Sequence, residues 1–451
     1  MSRRIVVTGV GIICSIGTNV EDFWNNCLSG ETNICSVPDN WKNCLNLKSK
    51  FWSPLKEVDY SEYGFSKIEQ KTLDISSLLV MSSAMQALTS SKLEYHLNNS
   101  KKNTYSIKGI VPEKTGVFIG TGVGGINSVF SSFSNVIFTS LMKIEYQMKK
   151  ENSEFLKCAL AKFEEEFCIP KRFSPYTVAK FMPNACSSNI GIKFGITGPN
   201  NTYCSSCASG TVALGNAFKA IKNGQVDVAI SGGTEYLFDE FGGIFYGFDK
   251  IGALTIGENT DNINCPFDNK RSGFLFSEGG SAVLILEELG HALDRGAPIL
   301  AEVANYSESS DANSIMAIEE SGTNIKNMLF DCLHGANIEP EEVNYINAHG
   351  TGTDVNDEIE TKIIDEVFGK RVLVNSTKSL TGHTIGASGA IEALTTVMSV
   401  FNNTTHICKN LNDPIRNLNY VTKVKKYPIQ TAISQSFGFG GHNAALVFKS
   451  Y

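Results

Sequence analysis

The feature that most restricts the fold of this chain is the repeated alternation of short apolar runs with longer stretches of helical periodicity. Many of the runs are rich in Val and Ile and lack the polar alternation of a strand with one solvated face. Such strands are buried on both faces, as in a sheet that helices cover on each side. The predicted strands are 4–8, 115–119, 226–231, 281–286, 299–303, 343–347, 371–375, 431–434 and 444–448.

Segments with helical periodicity separate these strands. The predicted helices are 20–28, 76–89, 208–223, 356–368 and 384–400. Gly224 and Gly369 follow two of them directly, as expected for left-handed helix caps. The order strand, helix, strand predicts layered α/β architecture. Two segments depart from it: 98–108 is polar and is predicted to be a surface loop, and 143–167 is charged and predicted to be an exposed helical excursion.

Composition limits the class of protein. With 451 residues, 42% of them hydrophobic, the chain has room for two or three domains or one large fused unit. A faint duplication is visible, with two glycine-rich α/β halves meeting near residue 290. No apolar run reaches the roughly 18 residues that span a bilayer, so no membrane association is predicted. The first apolar run, 5–9, is interpreted as a buried strand rather than part of a signal peptide.

Charge and cysteine usage narrow the class further. A net charge of −7 is unfavourable for coating nucleic acid. The twelve cysteines lack the regular spacing of a secreted disulfide scaffold, so reduced thiols in a cytosol-like compartment are predicted.

A glycine-rich turn follows the second predicted strand. Gly120 to Gly125 fits the G-x-G-x-x-G pattern that brings backbone close to a pyrophosphate. A dinucleotide site also needs a strand about 20 residues later that ends in an acid. The apolar, serine-rich stretch 130–141 follows instead. A tight turn between packed elements is therefore the favoured interpretation.

A Cys-x-x-Cys pair, Cys204 and Cys207, precedes the predicted helix 208–223. Zinc binding lacks a second such pair, and redox exchange lacks its usual setting near the start of a small domain. A thiol at a helix N-terminus has its thiolate stabilised by free N–H groups and the macrodipole. Cys207, followed by small residues, is therefore the candidate nucleophile, and Cys204 the candidate structural cysteine.

Two of the seven histidines follow successive predicted strands, each among glycine and threonine: His349 and His383. We expect them to assist the cysteine, whereas His96, His291, His334 and His406 are interpreted as structural or solvated. The glycine-rich segment 436–443 joins the last two strands. It fits either a hairpin turn or a flexible gate with aromatic tips.

Taken together, these stretches resemble the β-ketoacyl-acyl-carrier-protein synthases of the type II, elongating class, within the thiolase-like superfamily. The resemblance extends over essentially the whole chain and rests on several separated motifs in the same order. It implies a five-layered α-β-α-β-α fold built from two similar halves, and a homodimer. Residues 1–290, with an insert at about 126–175, would carry the cysteine, and 291–451 the histidines and a gating loop.

The resemblance also implies roles for individual residues. Cys207 would be the acylated nucleophile and His349 and His383 the catalytic histidines, supported by Lys378 and Glu392. The backbone N–H groups of Cys207 and Phe439 would form an oxyanion hole. Substrate-binding residues would be Thr351, Thr353 and Phe439, and the gating loop would comprise Gly438, Phe439, Gly440 and Gly441.

The implied reaction is a decarboxylative condensation. An acyl group held on Cys207 would be extended by malonyl-acyl carrier protein to give β-ketoacyl-acyl carrier protein, in fatty-acid or polyketide and polyene synthesis. The implied setting is cytoplasmic, with acyl carrier protein as partner and its phosphopantetheine carrying the substrates. No metal or other cofactor is expected. Two alternatives remain: a chain-length-factor-like partner subunit of a ketosynthase heterodimer, and a thiolase.

Two features depart from the pattern of the resembled family. The segment 236–248 contains six aromatic residues where small residues and proline are usual. Together with the insert, this favours a specialised polyketide or polyene pathway and short or unsaturated acyl primers. Lys67 and Lys71 are expected to receive the acidic carrier protein near the pocket mouth.

Overall fold

The computed structural model describes residues 3–148, 154–166, 173–260 and 263–451. The strands are β1 Ile5–Ile13, β2 Cys35–Ser36, β3 Phe51–Trp52, β4 Tyr95–Asn99, β5 Thr104–Ile107, β6 Thr115–Gly120, β7 Asn200–Tyr203, β8 Val228–Tyr236, β9 Gly279–Glu288, β10 Ala301–Ser310, β11 Tyr345–Asn347, β12 Leu373–Asn375, β13 Thr404–Thr405, β14 Asn419–Tyr420, β15 Lys425–Lys426, β16 Thr431–Gly438 and β17 His442–Lys449.

The helices alternate with these strands. They are α1 Val20–Ser29, α2 Asp39–Cys44, α3 Lys67–Thr72, α4 Ile75–Ser90, α5 Ile126–Met148, α6 Glu154–Glu166, α7 Thr177–Phe181, α8 Ala185–Phe194, α9 Ser209–Lys222, α10 Gly243–Lys250, α11 Leu289–Asp294, α12 Thr323–Gly335, α13 Asp354–Phe368, α14 Lys378–Thr381 and α15 Ser388–Asn402. Short 3-10 turns, Ser206–Ala208 and Ile385–Ala387, precede α9 and α15.

Two sets of five strands have the same topology. The main sheet contains β1-β9-β8-β6-β7 and β10-β17-β16-β11-β12 as neighbours, joined where β1 meets β10. In each set the first strand pairs antiparallel with the fifth, the fifth antiparallel with the fourth, and the fourth, second and third run parallel. The duplication that is faint in the sequence is therefore plain in the strand order.

The helices form layers on both faces of these strands. The central helices α9 and α15 pack against each other and against strands of both sets. One outer layer contains α4 and α8, and the other contains α12 and α13, each over its own apolar core. A third core surrounds the central pair. This is the expected five-layered α-β-α-β-α arrangement.

Small residues let the two central helices approach at their N-termini. A Cβ atom added to Gly210 would lie 2.5 Å from the backbone nitrogen of Ala390. One added to Gly389 would lie 2.2 Å from Thr211 Oγ1. Interiors are close-packed, so larger residues would push the helices apart. The turns that precede α9 and α15 therefore meet at one place in the molecule.

Several predicted elements need correction. The polar segment 98–108 is not a loop throughout, because β4 and β5 pair there as a hairpin. Strand β7 was not predicted, because its sequence is polar. The central helices begin later than expected, after their 3-10 turns. Helices α5 and α6 account for most of the predicted excursion 143–167, while 149–153 and 167 lie outside the described residues.

Within the described ranges, no helix combines the length and the apolar character that crossing a bilayer requires.

Candidate active site

Cys207 lies in the 3-10 turn between β7 and α9. Its Sγ is 3.1 Å from His383 Nε2, and the side chain is buried. Ser206 adopts a positive φ of 51°, and the Ser209 hydroxyl donates to the Ser206 carbonyl. This strained turn, fixed by the hydrogen bond from Ser209, holds the sulfur where the two central helices meet.

The electrostatics of Cys207 differ from the sequence-based expectation. Burial raises the pKa of its thiol, while the Ser206 hydroxyl, the Lys378 charge and the backbone N–H of Phe439 each oppose that rise. Desolvation is the largest of these influences on the thiol. The resting group is a thiol, and its proton must leave when the sulfur attacks.

His383 is held at a position topologically equivalent to that of Cys207, just before the other central helix. The Ser388 hydroxyl oxygen accepts from the Thr384 N–H at 3.1 Å and lies 2.9 Å from His383 Nδ1. The same hydroxyl lies 3.0 Å from the Thr384 hydroxyl. Donation from Ser388 to Nδ1 leaves the imidazole proton on Nε2, which lies 3.1 Å from the Cys207 sulfur.

His349 follows β11 and has the same tautomer for a different reason. Lys378 Nζ lies 3.0 Å from His349 Nδ1 and donates to the His349 carbonyl at 2.7 Å. An ammonium group has donors only, so Nδ1 must accept and Nε2 must carry the proton. Glu392 pairs with the same ammonium group. Lys378 thus orients His349, and Glu392 balances its charge.

The two imidazoles are neutral and face one another. Their ring centroids are 5.6 Å apart with an interplanar angle of 86°. Burial first, and then the nearby Lys378 charge, hold the pKa of both His349 and His383 well below the usual value. The site therefore presents two uncharged imidazoles that line the same cavity as the cysteine.

Two acids on α13, which sequence reasoning missed, brace the loop after His349. Glu360 accepts from the N–H groups of His349 and Gly350 at 2.6 and 2.7 Å. Asp357 accepts from the N–H of Thr351 at 3.1 Å. Burial raises the pKa of Glu360 to about 7 despite these bonds. The sequence does contain a signal for this pair: two acids three residues apart in the first turns of a helix lie on the same face of it.

A cavity of about 380 Å³ leads to the cysteine. Cys207, His349 and His383 line its inner end, and Thr351 and Thr353 also line it. The two threonine Oγ1 atoms are 2.9 Å apart. Arg271 donates to the Thr353 carbonyl at 3.4 Å, which helps to fix that loop. The cavity lining is thus mostly apolar, with hydroxyl, carboxyl and amide side chains among its residues.

The segment 436–443 forms the tight hairpin between β16 and β17. Gly438 passes so close to the nucleophile turn that an added Cβ would lie 2.7 Å from the Ser205 carbonyl oxygen. Gly440 and Gly441 have φ of 88° and 76°, which favour glycine. Phe439, 37% exposed, lines the cavity. The hairpin interpretation is therefore confirmed, and the gating role stays a prediction.

The glycine-rich turn Gly120 to Gly125 holds a carboxylate of the protein itself. Glu235 accepts from the N–H groups of Gly122 at 2.6 Å and Gly386 at 3.0 Å. Burial raises the pKa of Glu235 to about 7. The backbone N–H groups that could bind a phosphate already bind the Glu235 carboxylate, which favours the tight-turn interpretation over dinucleotide binding.

Several other predicted features lie away from the cavity. Cys204 and the other cysteines in the described part of the chain are free thiols. Among the described residues, no cluster of three or more His, Cys, Asp or Glu has the arrangement of a metal site. Lys67 and Lys71 are exposed on α3 and do not line the cavity. Within this chain they are therefore not at its mouth.

The aromatic segment 236–248 divides between cavity and core. Phe248 lines the cavity, whereas Phe245, 1% exposed, lies behind it against Trp41. Trp41 and Trp52, which carry no sequence signal beyond their apolar character, belong to the same cluster.

A buried cysteine, two neutral histidines and a duplicated five-layered fold define a thiolase-like condensing enzyme, an acyltransferase. The chain belongs to the β-ketoacyl synthase family. It matches the family's N-terminal domain over residues 2–292 and its C-terminal domain over residues 300–412.

Similar proteins agree with this assignment. The chain is 33% identical to 3-oxoacyl-[acyl-carrier-protein] synthase 2 of Synechocystis, covering 100% of this chain and 98% of the relative. It is 31% identical to the protein of that name from Vibrio harveyi, covering 99% and 98%. A type II polyketide ketosynthase, solved with its acyl-carrier protein and bound to a hexaketide, matches with a TM-score of 0.78 and 26% identity over 100% of both chains.

Proposed function

We propose that this enzyme condenses an acyl group on Cys207 with a malonyl unit carried by acyl carrier protein. The observation that carries the proposal is the pair of neutral imidazoles, His349 and His383, that line one cavity with the Cys207 sulfur. Such a pair suits an oxygen that becomes negative during the reaction, because preorganised donors act strongly where water is excluded.

The first half-reaction loads the cysteine. Cys207 Sγ attacks the acyl thioester, and the thiol proton ends on the departing pantetheine sulfur. His383 Nε2–H, 3.1 Å from Sγ, is positioned to stabilise the negative charge that develops on the sulfur as this proton leaves. The backbone N–H groups of Cys207 and Phe439 would hold the oxyanion, and the close approach of Gly438 to the Ser205 carbonyl keeps the two segments together.

The second half-reaction joins the two carbon chains. The pantetheine arm of the malonyl thioester lies along Thr351 and Thr353, and the thioester oxygen lies between the two Nε2–H donors. Loss of CO2 leaves an enolate, whose negative oxygen these donors stabilise. Its carbon attacks the Cys207 thioester, and the sulfur leaves as the new carbon–carbon bond forms. Decarboxylation drives the reaction, so we propose no metal or redox cofactor.

The mass of the intact protein tests the proposal. After incubation with acyl carrier protein thioesters, the wild type should gain one acyl mass, and Cys207→Ala none. Cys204→Ala, a substitution three residues away, is the matched control and should acylate normally. An adduct mapped to Cys204 would overturn the assignment.

The same experiment separates the alternatives. A chain-length-factor-like subunit would acquire no acyl group, and a thiolase would condense acetyl thioesters without a carboxylated donor. Release of CO2 from malonyl-acyl carrier protein, followed by a β-ketoacyl product, supports the condensing role over both.

We infer further that the protein works as a homodimer in the cytoplasm. Strand β7 pairs with β6 and lies at the end of the sheet, which leaves one strand edge open. Beside it, α8, α7 and α5 pack on one another and carry exposed apolar side chains, among them Ile192, Val178 and Phe133. A second copy would cover both features; a related ketosynthase-like subunit is the alternative. The free thiols suit a reducing compartment.

A further inference from the structure

The space for the acyl chain is restricted on one side of the cysteine. During condensation the acyl chain and the pantetheine arm occupy the site together, because the reaction joins them. The cavity containing Thr351 and Thr353 accommodates the arm. Cys207 also belongs to a closely packed apolar cluster that adjoins the cavity: Val37, Trp41, Trp52, Leu237, Phe245, Leu254, Phe274, Phe276 and Ile385.

Aromatic rings form a continuous series through this cluster. The Phe274 ring lies 5.0 Å from that of His383 and 5.4 Å from that of Phe248. Behind them, Phe276 lies 6.1 Å from Phe248 and 5.3 Å from Phe245. Only the first two phenylalanines of this series, Phe274 and Phe248, line the cavity. The rings behind them, Phe276 and Phe245, are buried and do not line the cavity.

The series ends on Trp41, which comes from a distant part of the sequence. Its ring lies 5.5 Å from that of Phe245 and 5.2 Å from that of Trp52. Its Nε1–H donates to the Glu240 carbonyl at 3.2 Å. An added Cβ at Gly242 would lie 2.7 Å from this ring, so that glycine makes the contact with Trp41 possible.

The segment 37–52, which carries both tryptophans, is fixed to helix α10. The buried Asp249 carboxylate on α10 accepts from the N–H groups of Lys48 and Ser49 at 3.0 and 2.8 Å. The same helix carries Phe245 and Phe248. Segment 37–52 and α10 therefore form one unit, in which Trp41 packs against Phe245, behind the phenylalanines that line the cavity.

We propose that segment 37–52, through Trp41, forms the back wall of the acyl site and sets the upper length of the acyl group. This inference rests on the proposed function and adds a specificity-determining residue to it. Close packing leaves the rings no room to yield, so short acyl groups fit and long saturated chains do not. Removing Trp41 gives Phe245 space to move back and lets the wall recede.

Acylation of Cys207 by acetyl, hexanoyl and decanoyl pantetheine thioesters tests the proposal, followed by intact mass. The wild type should favour acetyl strongly over decanoyl. Trp41→Ala should raise the decanoyl rate relative to the acetyl rate at least about tenfold, since buried methylenes gain apolar contact. Trp24→Ala, at a buried tryptophan on α1 outside this cluster, is the matched control and should keep the wild-type ratio.

A second variant guards against loss of folding. Trp41→Leu stays apolar and removes less volume than Trp41→Ala, so it should fold and shift the ratio in the same direction by less. An unchanged ratio in folded Trp41→Leu and Trp41→Ala, or equal acetyl and decanoyl rates in the wild type, would overturn the inference. Failure of the wild type to acylate with any thioester would instead overturn the proposed function.

Discussion

At the scale of single residues, the two histidines share a tautomer but contact different partners. His383 Nε2 lies 3.1 Å from the Cys207 sulfur, whereas His349 is oriented by Lys378. Both present Nε2–H to the cavity. They should therefore act alike in stabilising an enolate but differently when the cysteine is loaded.

We predict that His349→Ala and His383→Ala each slow the release of CO2 from malonyl thioester. Loss of one preorganised donor to an oxyanion commonly costs about 10²–10³ in rate. Loading of Cys207 should be slowed by His383→Ala and largely spared by His349→Ala, because only His383 contacts the sulfur. Release of CO2 and acyl mass gain, measured separately, check this. Wild-type CO2 release by both variants would contradict the roles assigned.

A pH-dependent contribution to stability arises far from the cavity. Glu287 is buried and accepts from Thr8, His291 Nδ1 and Arg295, so its pKa falls from 4.5 to about 2, despite burial. The same pairing raises the pKa of His291 above 6.5. The carboxylate's contribution is thus complete above its unfolded pKa and is lost as pH falls towards 2. The contribution of His291 is complete below 6.5 and fades as pH rises through its folded pKa.

His291→Ala should therefore destabilise the protein in a pH-dependent way. Near pH 6 we expect a loss of about 1 kcal/mol, a modest value because His291 is partly exposed. Towards about pH 9 the difference from wild type should shrink, since the folded wild type loses that proton as well. Urea unfolding at several pH values measures this, with exposed His96→Ala as control. A difference that grows with pH would contradict the charged pairing.

At the scale of elements, the hairpin between β16 and β17 needs a glycine at position 438 to pack against the turn that carries Cys207. A methyl group on Gly438 would lie 2.7 Å from the Ser205 carbonyl oxygen and 3.2 Å from the Cys207 nitrogen. Neither is the flexible end of a side chain. The hairpin or the nucleophile turn must move to accept it.

Gly438→Ala should consequently impair acylation of Cys207 while leaving the fold intact. We expect a loss of at least about tenfold, because small misplacements of reacting groups are costly. Gly247→Ala, on α10, is the control, because its Cβ would meet nothing within 4 Å. Acylation rates and thermal unfolding of both variants check this. If the Gly438→Ala protein were as active as Gly247→Ala, acylation of Cys207 would not require a glycine at position 438.

The sequence predicted elements where burial and local pattern coincide. The Val- and Ile-rich strands and the turns that carry Cys207, His349 and His383 were identifiable, because apolar runs and glycine-rich junctions are local signals. Strand β7 was missed because a polar strand is defined by its partner β6, not by its own pattern. Glu360 and Trp41 were missed for the same reason, since long-range contacts alone give them their places.

At the scale of the whole molecule, the duplicated topology explains the composition of the site. Cys207 precedes α9 and His383 precedes α15, after the third strand of each five-strand set. The glycine contacts between α9 and α15 then bring these equivalent turns together. A nucleophile from one set and a hydrogen-bond donor from the other thus meet without any long loop.

The open edge of β7 and the apolar side chains near it predict how two copies associate. Ile192 on α8 and Val178 on α7 are 67% and 61% exposed. At an interface these two positions would be buried and unable to accommodate charge. The double variant Ile192→Asp/Val178→Asp should therefore break a homodimer, because its carboxylates would lose water and repel one another. Leu97→Asp, on the β4–β5 hairpin and 54% exposed, is the control and should leave the dimer intact. Light scattering after gel filtration measures the mass: the wild type and Leu97→Asp should give two chains, and the double variant one. A wild type that remains a single chain at micromolar concentration, or a double variant with unchanged mass, would place the interface elsewhere or assign that face to a related subunit.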